Sequence, residues 1–530
     1  MEGLTTASAE GNKLSLAIAV SIVLLGFVGW SILASRPRYP DAPWLRISNK
    51  PRSLGRLEDH ATFARNSMEI LQVGWERYSK HGINYLLDTP EGVRYIVAQK
   101  YFDELVRAPD THVSALAASN VFMQVDHTLH RVCADDQFHF DLPIKKSLTQ
   151  ALGPKLGDIV DEAKLAIAAF IGSGKEPTRM NGLNMCFNVV TRTANRLLFN
   201  IPLTRNEEFH KLSIDYTFVM FGGADKVRKW PDFFKPVVMW WSTNLYKSQA
   251  LARKLLMPLI EERVSAEKAA RASGTSKTRP KEDDMVQWVI DYASDTELDP
   301  NRLFYRMLHI NIAAVHTSST TFAEVLYAVI AFPEFQNELR QEIIDVFRKE
   351  GGWSKQTLTL LYKLDSFMTE CGRIQPNASL KNARVALRDW RFKDGTFVPK
   401  GTHMFTNQIA YHMEDETFEN PHVFDPWRMY RLRLREGEEL KHQYVMTSDK
   451  NLHFGHGKHA CPGRFFAANE VKTLLALLLM RFDMSLGNTT WTEIQQGLFY
   501  CASRNPLNKV VIEFKDRTDQ IPEDLKEYFV

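Results

Sequence analysis

The sequence predicts a mainly α-helical fold with a small β portion, preceded by one helix that spans a membrane. Segments 158–172 and 244–264 repeat apolar residues every three or four positions, the period of an amphipathic helix. Strand-like runs are fewer and shorter. Leu14 to Ala34 form a run of 21 residues without a charged side chain. These observations together indicate an anchored, mostly helical protein.

Length and composition fit a globular protein of unusual size. The chain has 530 residues, of which 44% are hydrophobic and 24% are charged, so disorder does not dominate. The formal net charge of +3 is small, and nothing in it calls for a nucleic acid partner. The five cysteines are scattered without C-x-x-C spacing, which disfavours a disulfide framework and a zinc site.

The N-terminal apolar run is long enough to be a permanent anchor. At about 1.5 Å per residue it spans roughly 30 Å, the thickness of a bilayer core. A cleaved signal peptide is the alternative, but its apolar region is usually only roughly 7–15 residues long. Arg36, Arg38 and Arg46 follow the run, whereas residues 1–13 contain only Lys13 as a base. The positive-inside rule therefore places the C-terminal bulk in the cytosol.

We expect four segments along the chain. Residues 1–13 form a luminal tail, residues 14–34 the transmembrane anchor, and residues 35–58 a proline-rich neck that enters the domain. Residues 59–530 form a single folded domain. Because proline cannot continue a helix, the neck should be stiff and extended.

Beyond the neck, one stretch has the composition of a linker. Residues 266–284 are rich in Lys, Ser, Thr and Ala, and they predict an exposed loop. Strand-like runs predict the small β portion, and they lie at 83–89, 93–98, 383–392, 395–406 and 508–514.

One predicted helix is much longer than the others. Asp299 and Pro300 form an N-cap and first-turn pair, and the apolar pattern continues until Pro333 ends it. About 33 residues give roughly 50 Å, enough to cross a whole domain. Its middle carries a polar cluster, residues 316–319. In a purely structural interpretation, these hydroxyls bond back to carbonyls of the preceding turn.

A charged pair lies in an apolar helical segment before Pro376. Glu370 and Arg373 are three residues apart and therefore share one helical face. Such pairs are usually solvated, but the apolar flanks make burial plausible here. A buried pair needs a further partner, and Arg428 beside Pro426 is a candidate.

The most informative stretch is HFGHGKHACPGRFF, residues 453–466. It places Cys461 in a glycine-punctuated loop with basic neighbours, followed by an apolar helical pattern. These surroundings favour a thiolate over a buried thiol or a disulfide. Cys461 is therefore predicted to be a metal ligand.

The loop fits F-x-x-G-x-x-x-C-x-G and so resembles the haem-binding signature of the cytochrome P-450 superfamily, the haem-thiolate monooxygenases. The match runs through Phe454, Gly457, Cys461 and Gly463. The order and spacing of Glu370, Arg373 and Arg428 also agree with the buried triad of that family. The resemblance covers residues 60–515 and implies the cytochrome P-450 fold for the domain at 59–530.

The resemblance implies haem b as the cofactor, with Cys461 as its axial ligand. A thiolate gives electron density to iron and favours O–O cleavage, while glycines let backbone amides approach the sulfur. His459 and Arg384 match family positions that bind the haem propionates. The matching residue of an earlier helix stays open, with His127 and Arg131 or Lys145 as candidates.

On the distal side, AAVHTSS resembles the family's small-small-x-acid-Thr-Thr/Ser stretch. Thr317 takes the place of the threonine that guides protons to dioxygen, and His316 replaces the acid. A histidine with an ordinary pKa near 6.5 could relay protons in its place. The alternative is that His316 packs against neighbouring helices, because adjacent helical side chains diverge by about 100°.

The resemblance implies a monooxygenase that oxidises a bulky lipophilic substrate, similar to fungal enzymes acting on diterpenoids or indole-diterpenes in secondary metabolism. NADPH would supply electrons through a separate cytochrome P-450 reductase, with cytochrome b5 as a second candidate partner. A basic surface near Lys458 and Arg464 would meet the reductase's acidic face. The expected location is the endoplasmic reticulum membrane, crossed once, with the catalytic domain cytosolic.

Two other functions stay open. One is a haem-thiolate isomerase or dehydratase that needs no external electrons, and the other is a non-catalytic haem-binding membrane protein. Substrate contacts are expected from the long helix and from variable segments, which are residues 110–140, residues 205–235, the stretch after Pro376 and the surroundings of Leu498.

Overall fold

The computed structural model describes residues 38–48, 50–173 and 175–530, and most of these residues are helical. The helices are α1 (Arg52–Arg77), α2 (Phe102–Arg107), α3 (Ala115–Met123), α4 (Val125–Thr128), α5 (Arg131–Asp135), α6 (Thr149–Ala151), α7 (Leu156–Phe170), α8 (Gly182–Phe199), α9 (Glu207–Val227), α10 (Lys235–Ser242), α11 (Leu245–Ala272), α12 (Met285–Tyr292), α13 (Pro300–Ala331), α14 (Pro333–Glu350), α15 (Lys355–Leu360), α16 (Tyr362–Ile374), α17 (Gln408–His412), α18 (Arg428–Arg433), α19 (Arg464–Arg481), α20 (Trp491–Gln496) and α21 (Lys526–Phe529).

The strands are short and form small sheets. They are β1 (Trp44–Leu45), β2 (Tyr85–Thr89), β3 (Gly92–Val97), β4 (Val113–Ser114), β5 (Thr178–Asn181), β6 (Lys381–Ala386), β7 (Trp390–Arg391), β8 (Phe397–Val398), β9 (His403–Thr406), β10 (Phe482–Leu486), β11 (Leu498–Tyr500), β12 (Ser503–Asn505) and β13 (Val511–Asp516). The largest sheet has the order β1-β2-β3-β9-β6-β4. The others are β10-β13-β5 and the hairpin-like pairs β11-β12 and β7-β8.

The long helix α13 forms for the reasons that its sequence predicts. The Asp299 side chain accepts a hydrogen bond from the backbone N–H of Arg302, and Pro300 occupies the first turn. Pro333 begins the next helix, so α13 ends at Ala331. The boundaries predicted from the sequence are confirmed.

Two apolar clusters meet along α13 and fix its place in the centre of the fold. Its first half, including Phe304 and Met307, packs with α8, α9, α11 and α12. Its second half, including Phe322 and Leu326, packs with α7, α14, α16 and α19. Because helix α19 begins at Arg464, close after Cys461, this second cluster also holds the loop around Cys461 against α13.

The structure differs from the prediction at residues 266–284. Helix α11 continues to Ala272, so the first part of the stretch is helical. The buried carboxylate of Glu267 is the reason, because it pairs with Arg271 at 3.1 Å, Arg279 at 2.9 Å and Lys281 at 3.2 Å. Composition suggested a loose linker, yet these ion pairs tie the stretch to the helix.

The first described elements of the fold lie in the predicted entry to the domain. Strand β1 pairs in parallel with β2, and α1 starts at Arg52, so both elements lie in the segment predicted as neck and entry to the domain, residues 35–58. The predicted anchor, residues 14–34, lies outside the described residues. Among the residues described, there is no helix long and apolar enough to cross a membrane.

Candidate functional site

A cavity of about 870 Å³ lies between the middle of α13 and the cysteine loop, residues 453–463. Thr317 and Ser318 line it on one side, and Cys461 and Gly463 line it on the other. Residues of β6 and of the segment between α5 and α6 complete the wall. The two motifs singled out in the sequence therefore face one cavity.

The cysteine loop is closed by its own backbone. The Cys461 N–H donates to the Phe454 carbonyl at 2.8 Å, and Arg464 donates to the Cys461 carbonyl at 3.0 Å. Burial raises the pKa of the Cys461 thiol, whereas the backbone N–H groups of Gly463 and Arg464 and the Arg464 charge lower it. These donors are placed to stabilise a thiolate once a metal binds it.

Two glycines of the loop have separate roles. Gly457 has φ +74°, and a Cβ there would lie 2.5 Å from a methyl group of Val106. Gly463 has an ordinary φ, but an added Cβ would meet no atom within 4 Å. Gly457 is thus required by the turn, while the structure leaves space for a side chain at position 463.

A cationic group of residues lines one end of the cavity. Arg384 of β6 is buried, and its Nη2 has no hydrogen-bond partner among the residues that the structure describes. His459 lies nearby, and its Nε2 is 2.6 Å from Asp110, which also pairs with Lys458 at 3.0 Å. Burial lowers the pKa of His459, Asp110 raises it, and the charge of Arg384 lowers it.

This arrangement fits the haem that the resemblance implies. An unpartnered, buried guanidinium nitrogen suits a carboxylate, and Arg384 with His459 would hold the propionates. Cys461, in the same cavity, supplies the sulfur ligand. Asp110 is the residue of this group that the sequence analysis missed, because nothing in its local pattern marks a partner 349 residues away.

Thr317 lies on the cavity face of α13, one turn after Ala313. Its hydroxyl donates to the Ala313 carbonyl at 2.7 Å, which is the back-bonding that the structural interpretation described. Ala313 and Ala314 also line the cavity, and their small side chains leave room above the thiol.

His316 points in a different direction from Thr317. Its ring lies among three phenylalanines, with centroid distances of 5.0 Å to Phe221, 6.0 Å to Phe187 and 6.3 Å to Phe218. Burial lowers its pKa to about 4, and its Nδ1 has no partner within the described part of the chain. It is not one of the residues that line the cavity. This placement favours the packing alternative over the predicted proton relay.

The structure brings Glu370, Arg373 and Arg428 together. Arg373 donates two hydrogen bonds to the fully buried Glu370 carboxylate, at 2.7 and 2.9 Å. Arg428, at the start of α18, lies 3.4 Å from the same carboxylate. The sequence order that suggested a third partner is matched by this geometry.

The three early candidates for a propionate ligand occupy different environments. Lys145 lines the cavity, where it pairs with Asp141 at 2.9 Å. Arg131 is exposed and pairs with Asp135 at 3.5 Å, and His127 does not line the cavity. Of the three, Lys145 is the one that lines the cavity, and a propionate contact by it stays a prediction.

The segments predicted to contact substrate coincide only in part with the cavity wall. Residues 110–119, 137–148 and the middle of α13 line the cavity. Residues 205–235 and the surroundings of Leu498 do not, and Phe218 is half exposed instead. Contact of these two regions with substrate stays a prediction.

Comparison with known proteins agrees with this site. The family model for cytochrome P-450 matches residues 146–509, more than half of the chain. Cytochrome P-450 monooxygenase 103 of Postia placenta is 32% identical over 461 residues, covering 86% of this chain and 90% of that protein. The range of the family model includes α13, the triad and the cysteine loop, whereas the cavity residues from Asp110 to Lys145 lie before it.

Two further relatives come from other fungi. Cytochrome P-450 monooxygenase olcJ of Penicillium canescens is 32% identical and covers 88% of this chain and 87% of its own length. Cytochrome P-450 monooxygenase hepE of Aspergillus oryzae is 30% identical, with 80% and 77% covered. With the family model, the coverage and the thiol-bearing cavity in agreement, the chain belongs to the cytochrome P-450 family of haem-thiolate monooxygenases.

Proposed function

We propose that this enzyme inserts oxygen from O2 into a bulky lipophilic substrate, a terpenoid or indole-diterpene intermediate of fungal secondary metabolism. The observation that carries this proposal is the apolar wall of the cavity between Thr317 and Cys461. Hydrophobic side chains supply most of it, including Leu116, Phe140, Ile144, Leu148, Leu197 and Leu198. Haem would fill part of this cavity, and the apolar wall of the remaining part suits a hydrocarbon skeleton with few polar groups.

The polar groups of the cavity are distributed unevenly. Charged residues gather at the end that would hold the haem propionates, around Arg384 and His459. The other polar groups of the wall are the Asp141–Lys145 pair, the amides of Gln137 and Asn382, and small hydroxyls such as Ser114 and Ser119. The substrate would therefore be held mainly by burial of apolar surface, which gives shape selectivity but few directional contacts.

When bound, haem supplies the oxygen chemistry through its iron. The protein's own residues prepare the site for it. Cys461 provides a thiolate whose charge is stabilised by the N–H groups of Gly463 and Arg464. Thr317 holds a hydroxyl proton at the cavity wall, where it can rotate away from the Ala313 carbonyl toward a ligand. The apolar wall excludes bulk water.

Electrons would come from NADPH through a separate reductase, with cytochrome b5 as a second candidate donor. Lys458 is half exposed beside the cysteine loop and supports docking of an acidic partner there. Arg464 contributes less to that surface, because its guanidinium donates to the carbonyls of Val445 and Cys461 inside the loop.

We place the enzyme on the endoplasmic reticulum membrane, crossed once by residues 14–34, with the catalytic domain in the cytosol. An exposed aromatic surface supports membrane contact by the domain itself. Phe233 is 74% exposed, and Trp240 and Trp241 of α10 are 71% and 79% exposed. Tryptophan is enriched where proteins meet the lipid interface.

The test is expression with a fungal reductase, incubation with a panel of terpenoid precursors and extraction of products. We expect oxygenated products that require both NADPH and the reductase. Product formation without either would identify the isomerase or dehydratase alternative.

The haem ligand is tested separately. Cys461→Ser should abolish the red-shifted Soret band of the reduced carbon monoxide complex. Cys371→Ala, which alters a buried cysteine outside the cavity, should retain that band.

A further inference from the structure

A buried polar cluster lies beside the cavity. It joins the segment between α5 and α6 to the first half of α13. The Nε2 of His139 is 3.1 Å from Nδ1 of His309 on α13, and Arg306 Nη1 is 3.1 Å from Nδ1 of His139. His139 and Arg306 are fully buried, and His309 is nearly so. None of these residues is used by the site described above.

The positions of the protons follow from the donors. Arginine can only donate, so Nδ1 of His139 accepts from Arg306. The neutral His139 ring then carries its proton on Nε2 and donates to Nδ1 of His309. Burial lowers the pKa of both rings, that of His309 to about 3, so both stay neutral. Glu297, 2.9 Å from Arg306, balances the guanidinium charge.

A metal ion is a poor fit for this cluster. Cys133, His139 and His309 are ligand types that zinc prefers, and their ligand atoms lie within 4.8 Å of one another. The facing lone pairs, however, are already engaged in the hydrogen bonds from Arg306 and His139. Burial also raises the pKa of Cys133 to about 12, so the thiol keeps its proton. The cluster is therefore a hydrogen-bonded anchor.

The anchor is joined directly to the cavity wall. Phe140 follows His139 in the chain, and its ring meets the His309 ring edge to face at 4.6 Å. Phe140 lines the cavity together with Gln137, Asp141 and Ile144 of the same segment. Arg306 also binds the backbone carbonyl of Asp136, which fixes the start of the segment.

We propose that His139 and His309 are positioning residues that fix Phe140 in the cavity wall, and that they thereby determine the affinity for bulky lipophilic ligands. The proposal deepens the proposed function, because it names what shapes the substrate cavity. An aromatic ring held on two sides presents a fixed surface, whereas a ring on a loose segment loses part of its contact energy to ordering.

Two imidazoles test this proposal in the haem-loaded protein. Imidazole itself is too small to depend on the wall, whereas clotrimazole carries three aromatic rings that must contact it. We expect His139→Ala to weaken clotrimazole binding about tenfold, the size of one lost aromatic contact, and to leave imidazole binding unchanged. The red shift of the Soret band on titration measures both affinities.

A double-mutant cycle separates positioning from general damage. Phe140→Ala alone should weaken clotrimazole to a similar extent, and adding His139→Ala to it should cause no further loss, because the anchored ring is already gone. His309→Asn is the conservative variant. Its amide oxygen can replace Nδ1 as acceptor, but it lacks the ring edge that meets Phe140, so we expect a folded protein with weakened clotrimazole binding.

Hydrogen–deuterium exchange gives a second measurement that does not depend on haem. His139→Ala should speed exchange in residues 137–145 but not in the cysteine loop, and His210→Ala, a half-buried histidine on α9 bonded to Asn188, should change neither. Additive losses in the cycle, or unchanged exchange in residues 137–145, would overturn the positioning role. A wild-type protein that binds haem but forms no NADPH-dependent product would instead contradict the proposed function alone.

Discussion

The Thr193 hydroxyl of α8 donates a 2.7 Å hydrogen bond to the Glu470 carboxyl of α19, with both residues buried. Burial raises the pKa of Glu470 to about 8, despite that hydrogen bond. A carboxyl group at neutral pH is thus kept protonated between two core helices. It joins α8 to the helix that follows the haem ligand.

The raised pKa of Glu470 predicts how the stability of the fold depends on pH. The folded pKa, about 8, lies above the unfolded value, so the folded state holds a proton that the unfolded state releases above about pH 4.5. The contribution of Glu470 is fully present below pH 4.5 and is lost as the pH rises to about 8. Glu470→Gln should remove this loss.

Thermal unfolding of the wild type and Glu470→Gln between pH 5 and pH 8 measures the effect. As the pH rises, the unfolding free energy of Glu470→Gln should increase relative to that of the wild type by about 1 kcal/mol per pH unit. Glu261→Gln, which changes an exposed glutamate in the middle of α11, serves as the control and should follow the wild type. Parallel curves for all three proteins would show that Glu470 is ionised at neutral pH.

The geometry of the triad predicts that removal of Arg373 and removal of Arg428 destabilise the fold by different amounts. Glu370 is fully buried, and Arg373 gives it two hydrogen bonds, whereas Arg428 lies farther away at 3.4 Å. Removing one partner of a buried ion pair leaves an uncompensated charge and costs about 3–5 kcal/mol. Arg373→Ala should therefore prevent accumulation of haem-loaded protein.

Arg428→Ala should be milder, because the two hydrogen bonds from Arg373 to Glu370 remain. The yield of protein with the carbon monoxide band and its thermal midpoint measure both variants. Equal losses from Arg373→Ala and Arg428→Ala would mean that the contact geometry does not rank the two arginines.

What the sequence could predict depended on how local each signal is. The loop around Cys461 and the limits of α13 are set by neighbours in the chain, such as Gly457 and the Asp299–Pro300 cap. The pairing of His459 with Asp110 joins residues 349 positions apart, and no periodicity marks it. Composition also misled at residues 266–284, because it does not reveal that Glu267 is buried.

The exposed aromatic surface makes a prediction about membrane binding. Deleting residues 1–36 should release much of the enzyme from microsomes and leave haem bound, but Trp240 and Trp241 should retain a fraction through their exposed rings. Adding Trp240→Ser and Trp241→Ser to the deletion should release that fraction. Flotation with microsomes measures it.

Topology is tested with sealed microsomes. Protease added from the cytosolic side should cut after Arg36 in the full-length chain. Complete protection would place the domain in the lumen. In the flotation experiment, equal membrane binding with and without the two tryptophans would show that they do not contact the membrane.

The last prediction separates Thr317 from its neighbour His316. Thr317 lies on the cavity wall, so Thr317→Ala should remove the hydroxyl proton from the site and divert electrons to hydrogen peroxide, with haem binding intact. His316 lies among phenylalanines, and its Nδ1 is buried without a partner in the described residues. His316→Phe should fill that space, remove the unsatisfied nitrogen and keep the coupling of the wild type.

His316→Asp sharpens the comparison, because it restores the acid found in the family at this position. If His316 relayed protons, Asp would preserve coupling and Phe would abolish it. If His316 packs between helices, Asp buries a carboxylate among aromatic rings and lowers the thermal midpoint, whereas Phe is tolerated. Peroxide formed per NADPH consumed, with the thermal midpoint of each variant, distinguishes the two roles. We expect His316→Phe to match the wild type in both measurements. If it instead releases as much peroxide as Thr317→Ala, the relay is established.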